Sequence, residues 1–185
     1  MTANDAISQG QYQVRFDWGI AGLRAIAPDV DVVVLVDVLG ASPALSRELS
    51  DHPAIVIAGG LTNAGAVARW ALEQQGGKGD RFGVALIAAG EPRSDGSLRF
   101  ALEDLLGCGA IIESLAEVGI DYYSPEAAAA AAAFTGLRSA TRHLIAATES
   151  GRAMIVAGRA SELETALELD STTEIPILRE FGFGA

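Results

Sequence analysis

The chain has 185 residues, and half of them are hydrophobic. This length fits a single domain, residues 1–185, with a core of its own. The formal net charge of −11 argues against binding to nucleic acid or to an anionic membrane surface, because nothing would neutralise the phosphates. The single cysteine, Cys108, excludes an intramolecular disulfide and a zinc cluster.

The start of the chain and its apolar runs bear on its location. Residues 1–14 lack the basic segment followed by an apolar core that marks a signal peptide. No apolar run approaches the ~20 residues of a membrane span. A lone cysteine fits a reducing compartment, so we predict a cytoplasmic protein. Residues 1–10 are polar, and we expect them to be flexible.

The stretch 31–42, DVVVLVDVLGAS, is the centre around which the chain is organised. Residues 32–36 form an unbroken apolar run rich in β-branched side chains, which is typical of a strand buried on both faces. Asp37 ends this run at the place where open α/β sheets bind their ligands. A capping role for Asp37 in the following turn is the alternative.

Apolar runs alternate with helical patterns along the rest of the chain. This alternation predicts a three-layer α/β/α fold, with a mostly parallel or mixed sheet and helices on both faces. The strands 32–36, 54–58 and 82–89 should lie together in that sheet. A further strand is predicted at 12–17 and a fourth apolar run at 153–157, with helices at 18–27, 44–49, 66–75, 106–118, 125–134, 139–148 and 162–169.

Several residues predict where these elements begin and end. Thr62 or Asn63 would cap one helix, and the glycine pair 76–77 would stop it. Ser124 would cap the alanine-rich helix, and Ser161 the last one. The segment GEPRSDGS, residues 90–97, is predicted to be a polar surface turn, and 170–185 a loop.

Four acidic residues lie at the ends of predicted strands or in the loops that follow them: Asp37, Glu91, Glu103 and Asp104. Carboxylates without a cluster of histidine or cysteine favour Mg²⁺ over zinc. Acidic residues near a helix N-terminus also interact favourably with the helix dipole, so a structural role for the adjacent pair 103–104 is the alternative.

Two glycine-rich segments, AGGLTNAG (58–65) and GCGA (107–110), would offer backbone N–H groups as loops. The first leads into a helix and would hold an anion, unless its glycines serve only close packing. His52 and His143 are isolated in the sequence, and nothing beside them indicates the oriented partner that a general base needs.

Fragments spread over nearly the whole chain resemble the 2-phosphosulpholactate phosphatase family. In order they are DVVVLVDVLGAS, AGGLTNAGAVA, LIAAG, LEDLLGCGAII, SPEAAAA, ESGRAMIVAG and ELDSTTEIPIL. The resemblance implies an α/β/α fold and a Mg²⁺-dependent acid phosphatase. The namesake enzyme of the family removes phosphate from 2-phosphosulpholactate.

The resemblance also implies roles for individual residues. Asp37, Glu103 and Asp104 correspond to acidic positions of the family, so they would hold Mg²⁺ and carry the catalysis. The substrate would be a small anionic phosphorylated molecule. Further family positions are matched by Gly109 and Asp170, and the substrate would be contacted by Ser42, Asn63, Arg152 and Ser171.

The chain departs from the family in two places. Gly40 stands where the family usually has an arginine, which would bind phosphate or sulfonate through two hydrogen bonds. Residues 43–53 alone separate Ser42 from Ala54, where the family usually has a long polar segment. These departures favour a second hypothesis, a non-catalytic small-molecule-binding or assembly protein that keeps the scaffold. Assembly into a homo-oligomer stays open.

Overall fold

Strand β2, Val32–Val36, lies inside a four-stranded parallel sheet, with every side chain buried. The computed structural model describes residues 8–178. The other strands are β1 Val14–Trp18, β3 Ile55–Gly59 and β4 Val84–Ala88. The sheet has the order β1-β4-β2-β3, and helices flank it on both sides. The predicted three-layer α/β/α architecture is confirmed.

The continuous apolar sequence of β2 serves two separate cores. Side chains alternate across a strand, so Val32, Val34 and Val36 enter one core while Val33 and Leu35 enter the other. This double burial explains why β2 has no polar residue until Asp37.

Two helices pack on one face of the sheet, and the others pack on the opposite face. The first pair is α1 Gly19–Ile26 and α2 Pro43–Leu49. The opposite face carries α3 Ala64–Lys78, α4 Leu102–Glu117, α5 Pro125–Leu137 and the shorter α6 Thr141–Ala147, α7 Glu149–Val156 and α8 Ala160–Ala166. Two 3₁₀ turns, Leu61–Asn63 and Arg138–Ala140, precede α3 and α6.

Helix α4 lies directly against the sheet and against α5. The segment 107–110, predicted as a glycine-rich loop, is inside this helix, so that prediction is wrong. A Cβ on Gly107 would lie 2.9 Å from Val36 Cγ1, and one on Gly109 would collide with the carbonyl oxygen of Ala130. Both glycines therefore allow close packing, which brings the start of α4 to the edge of the sheet.

The apolar run 153–157 is not a strand. It belongs largely to α7, where Met154 is buried and Val156 is 89% exposed. A short apolar run has no clear periodicity, and here only one of its residues reaches the core.

Two further local predictions are corrected. Helix α3 continues through the glycine pair 76–77 to Lys78 and is capped by Gly79, whose φ of +70° suits glycine. Helix α8 begins before Ser161, with Arg159 at the capping position. The predicted polar surface turn is confirmed over 93–97, which are exposed and connect the strands of a hairpin, β5 Glu91–Pro92 and β6 Leu98–Arg99.

The C-terminal segment covers the outer edge of β3. The Ala58 N–H donates to the Pro176 carbonyl at 2.9 Å, and the Leu178 N–H donates to the Val56 carbonyl at 2.9 Å. The predicted loop thus pairs antiparallel with the sheet over 176–178, while 179–185 lie outside the described residues.

The predicted flexible segment 1–10 is described only from residue 8, so residues 1–7 lie outside the described part. Gln9 is buried, and its side chain both donates to the Phe16 carbonyl and accepts from the Phe16 N–H. Within 8–178, no helix combines the length and the apolar character needed to cross a membrane.

Candidate functional site

The ends of β2 and β4 are joined by one buried carboxylate at the N-terminus of α4. Asp104 accepts the Val38 N–H through Oδ1 and the Gly90 N–H through Oδ2, each at 2.9 Å. Gly90 has a φ of +63°, a conformation that glycine adopts easily. Burial, together with the smaller effect of the Asp37 charge, raises the pKa of Asp104 to about 7, although the two N–H bonds act in the opposite direction.

Asp37 lies beside this junction at the tip of the central strand. Its Oδ2 atom is buried and has no hydrogen-bond donor among residues 8–178. Burial raises the pKa of Asp37 and so does the charge of Glu91, whereas the Ser42 hydroxyl and the Gly40 N–H favour the ionised form. A carboxylate oxygen without a donor, removed from water, is free to bind a ligand.

Gly40 is tied to the position of the Asp37 carboxylate. A Cβ at residue 40 would lie 2.5 Å from Asp37 Oδ1, closer than real Cβ contacts allow. A side chain at residue 40 would therefore require the Asp37 carboxylate to move.

Glu103 and Glu91 face a common arginine. Arg99 on β6 hydrogen-bonds to Glu91 and to the Ser150 hydroxyl, and that hydroxyl donates to Glu91 at 2.9 Å. The hydrogen bond to Glu91 raises the pKa of Arg99, and the charge of Glu103 raises it further. Glu103 is only 2% exposed, and its Oε2 has no donor among the described residues. The charge of Glu103 therefore acts on Arg99, whereas the charge of Asp37 acts on Asp104.

Two clefts open on either side of Asp37. The small cleft, about 170 Å³, is lined by residues 58–63 together with Val38, Ala166 and Pro176. The large cleft, about 430 Å³, is lined by residues 40–43, Ser46, Arg47 and Leu178, among others.

Arg47 is a basic residue of the large cleft that sequence reasoning missed. It lies on α2, one helical turn after Pro43, and its Nε donates to the Pro43 carbonyl at 3.3 Å. The signal was available, because residues four apart share a helix face and Pro43 directly follows the loop after Asp37. Arg47 therefore brings a basic side chain to the lining of the large cleft, where Gly40 offers none.

The predicted substrate-binding residues are divided by the structure. Ser42 lines the large cleft, and its hydroxyl lowers the pKa of Asp37. Asn63 lines the small cleft. Arg152 lies exposed on α7 and Ser171 lies exposed after α8, and neither is among the residues that line the two clefts.

The turn before α3 is already satisfied by the protein itself. Asn63 Oδ1 accepts the Gly60 N–H, and its amide donates to the carbonyls of Ala58 and Glu174. Asp170 Oδ1 accepts the Gly65 N–H at 2.7 Å, at the start of α3. At this glycine-rich turn, the Gly65 N–H that could have bound an external anion therefore already donates to the protein's own Asp170 carboxylate.

The donor set near Asp37 fits Mg²⁺ better than a metal held entirely by protein. Among residues 8–178, no group of three acidic, histidine or cysteine side chains converges in a way that would hold a metal. Mg²⁺ usually keeps several waters and binds through one or two carboxylates plus substrate phosphate. Asp37, whose Oδ2 has no donor among residues 8–178, and the neighbouring Asp104 would supply those one or two carboxylates.

Comparison with known proteins assigns the chain to a family. No curated protein matches it significantly. The family profile described as 2-phosphosulpholactate phosphatase matches residues 44–180, a range that includes Asn63, the 103–104 pair and Arg152. Asp37 precedes that range, so its role depends on the geometry described above. With most of its length matched, the chain belongs to the 2-phosphosulpholactate phosphatase family.

Proposed function

We propose that this family member hydrolyses a small acidic phosphate monoester with the help of Mg²⁺, at the tip of β2. The observation that carries the proposal is the Oδ2 atom of Asp37, which is buried, has no donor among residues 8–178 and belongs to a side chain lining both clefts. Membership of a phosphatase family supports the same reaction class.

Mg²⁺ would be held by Asp37, with Asp104 and Glu103 as further carboxylates directly or through water. When bound, it would neutralise charge on the phosphoryl group and activate or orient the nucleophile. The Ser42 hydroxyl and the Gly40 N–H lower the pKa of Asp37 and so favour its ionised form. Asp104 holds the two strand ends in register through Val38 and Gly90, so that Asp37 keeps its position.

Arg47 would bind the phosphate oxygens of the substrate in the large cleft. Its guanidinium is exposed and free of carboxylate partners among the described ion pairs. Planar guanidinium groups bind phosphate through two parallel hydrogen bonds. Arg47 would therefore bind the phosphate group that an arginine at position 40 would otherwise bind.

Phosphate release from a panel of phosphorylated hydroxyacids, with and without Mg²⁺, tests the proposal. Arg47→Gln should raise KM about 10- to 100-fold, the usual cost of one charged hydrogen-bonded contact. Arg69→Gln is the matched control, because it removes an exposed arginine that lies on α3 and lines neither cleft. Equal KM values for the two variants would assign phosphate binding elsewhere, and Mg²⁺-independent activity would contradict the metal.

A second candidate function is a non-catalytic binding protein on the same scaffold. It is favoured by Gly40 and by the short connection 43–53. A wild-type protein that binds phosphate esters in calorimetry but releases no phosphate would establish this alternative.

A further inference from the structure

A third cavity, about 510 Å³, adjoins the large cleft and shares the segment 41–43 with it. Its walls come from the start of α1, the start of α2 and the β5–β6 hairpin. None of the described residues that line it is ionisable, and the larger side chains are Trp18, Ile20, Leu45, Pro92 and Leu98. We call it the apolar cavity. Its volume lies within the ~300–1,000 Å³ of small-molecule sites.

The hairpin closes one side of this cavity by lying on two glycines. A Cβ on Gly90 would lie 3.0 Å from Leu98 Cδ1, and one on Gly19 would lie 3.4 Å from it. Both glycines have positive φ, +63° and +57°, so the backbone turns there without a side chain. The absence of side chains at Gly19 and Gly90 therefore leaves room for the Leu98 side chain.

Apolar side chains remain uncovered at the mouth of the cavity. Leu98 is 42% exposed and Phe100 is 56% exposed. The Phe100 ring packs on Trp18, with centroids 5.2 Å apart. Apolar surface left open around a concave site, next to a few polar groups, is typical of a ligand pocket.

We infer that the substrate is a phosphate monoester whose alcohol carries an apolar group. Its phosphate lies at Asp37 and Arg47 in the large cleft, and its apolar group crosses segment 41–43 into the apolar cavity. This inference rests on the proposed function. The cavity offers no cation for a sulfonate, and an unpaired charge there would be costly. The site therefore differs from one built for 2-phosphosulpholactate, whose three substituents are all anionic.

The first test is a chain-length series of alkyl phosphates, from methyl to hexyl, assayed for phosphate release. The specificity constant kcat/KM should rise about two- to fourfold per methylene until the cavity is full, as expected for burial of CH₂ groups. Leu98→Asp should abolish this dependence, because it places a charge in the wall. Leu72→Asp is the matched control, since Leu72 is also 42% exposed and lies on α3, away from the cavity.

A binding experiment separates this inference from the proposed catalysis. The chain has two tryptophans, so Trp70→Phe leaves Trp18 as the only tryptophan, and its fluorescence reports on the cavity. Hexylphosphonate, which is not hydrolysed, should bind at least tenfold more tightly than methylphosphonate, and Leu98→Asp in this background should remove the difference.

The outcomes are distinct. Chain-length-dependent binding without any phosphate release would support the ligand class and overturn the phosphatase proposal. Activity or affinity that is independent of chain length would overturn the inference and leave the phosphatase proposal standing. The inference would also be overturned if Leu98→Asp and Leu72→Asp behaved alike.

Discussion

The ends of β2 and β3 are neighbours in the sheet, yet their polar groups differ in how far the protein satisfies them. At the end of β3, Asn63 makes bonds through both atoms of its amide, and Asp170 accepts an N–H at the start of α3. At the end of β2, Asp37 keeps one buried oxygen without a donor among the described residues.

This difference separates structural polar groups from ligand-binding ones. The ends of β2 and β3 both carry residue types that the sequence alone would assign to a functional site. A buried polar atom without a partner costs free energy, so it persists where a ligand satisfies it, whereas a fully bonded one stabilises the fold. The comparison predicts effects on activity at β2 and on stability at β3.

The largest effect is expected for Asp37→Asn. Mg²⁺-dependent phosphate release should fall at least ~100-fold, because changes merely around metal ligands already cost ~10–100-fold. Asparagine retains an acceptor for the Ser42 hydroxyl, so the melting temperature should stay within a few degrees. Phosphate assays and thermal melts check both, with the exposed Asp121→Asn as control. An equally active variant would remove Asp37 from the mechanism.

The next effect concerns Asp104 and pH in the metal-free protein. Its folded pKa, about 7, is raised above the ordinary value of 3.8, so the native state holds a proton that the unfolded chain has released. Stability from this group is present at low pH and is lost as pH rises toward 7. The free energy of unfolding should fall by about 2–3 kcal/mol from pH 5 to pH 8.

Urea titrations at several pH values, in a chelating buffer, measure this slope. Asp104→Asn should remove it, since the amide does not titrate, while the histidines contribute equally to both proteins. A slope unchanged by the substitution would mean that other groups cause it. Saturating Mg²⁺ should also reduce the slope if the cation binds here, because it favours the ionised carboxylates.

At the end of β3, Asn63→Ala should lower the free energy of unfolding by about 2 kcal/mol, through the loss of several buried hydrogen bonds. Per folded molecule, KM and kcat should be unchanged, with the neighbouring Thr62→Ala as control. The comparison between the strand ends would fail if Asn63→Ala weakened substrate binding without lowering stability.

The smallest effect is expected for Asp170→Asn. Asparagine still accepts the Gly65 N–H, so only the charge at the start of α3 is lost, worth about 0.5 kcal/mol. Chemical denaturation at low salt should show the loss, and high salt should reduce it. Glu168→Gln, an exposed change nearby, should have less effect. A loss of several kcal/mol would assign Asp170 a larger structural role.

The fold was largely predictable because its central strands carry their own signal. Double burial requires an uninterrupted apolar run, and β2 and β4, which are buried at every position, each show one. The helix α5 was equally clear, since Ser124 accepts the Ala127 N–H as a cap and proline follows it. Patterns failed where a run was short, as in α7, or where glycines such as those of α4 serve packing.

The sequence by itself determined which carboxylates stand at element ends, because strand and helix boundaries follow from local patterns. Only the tertiary structure decided their partners. Asp104 accepts the N–H groups of Val38 and Gly90, which lie 66 and 14 residues away along the chain, through its two oxygens. One oxygen of Asp37 has no hydrogen-bond donor among the described residues. Hydrogen bonding and burial depend on groups distant in sequence, and no local pattern records them.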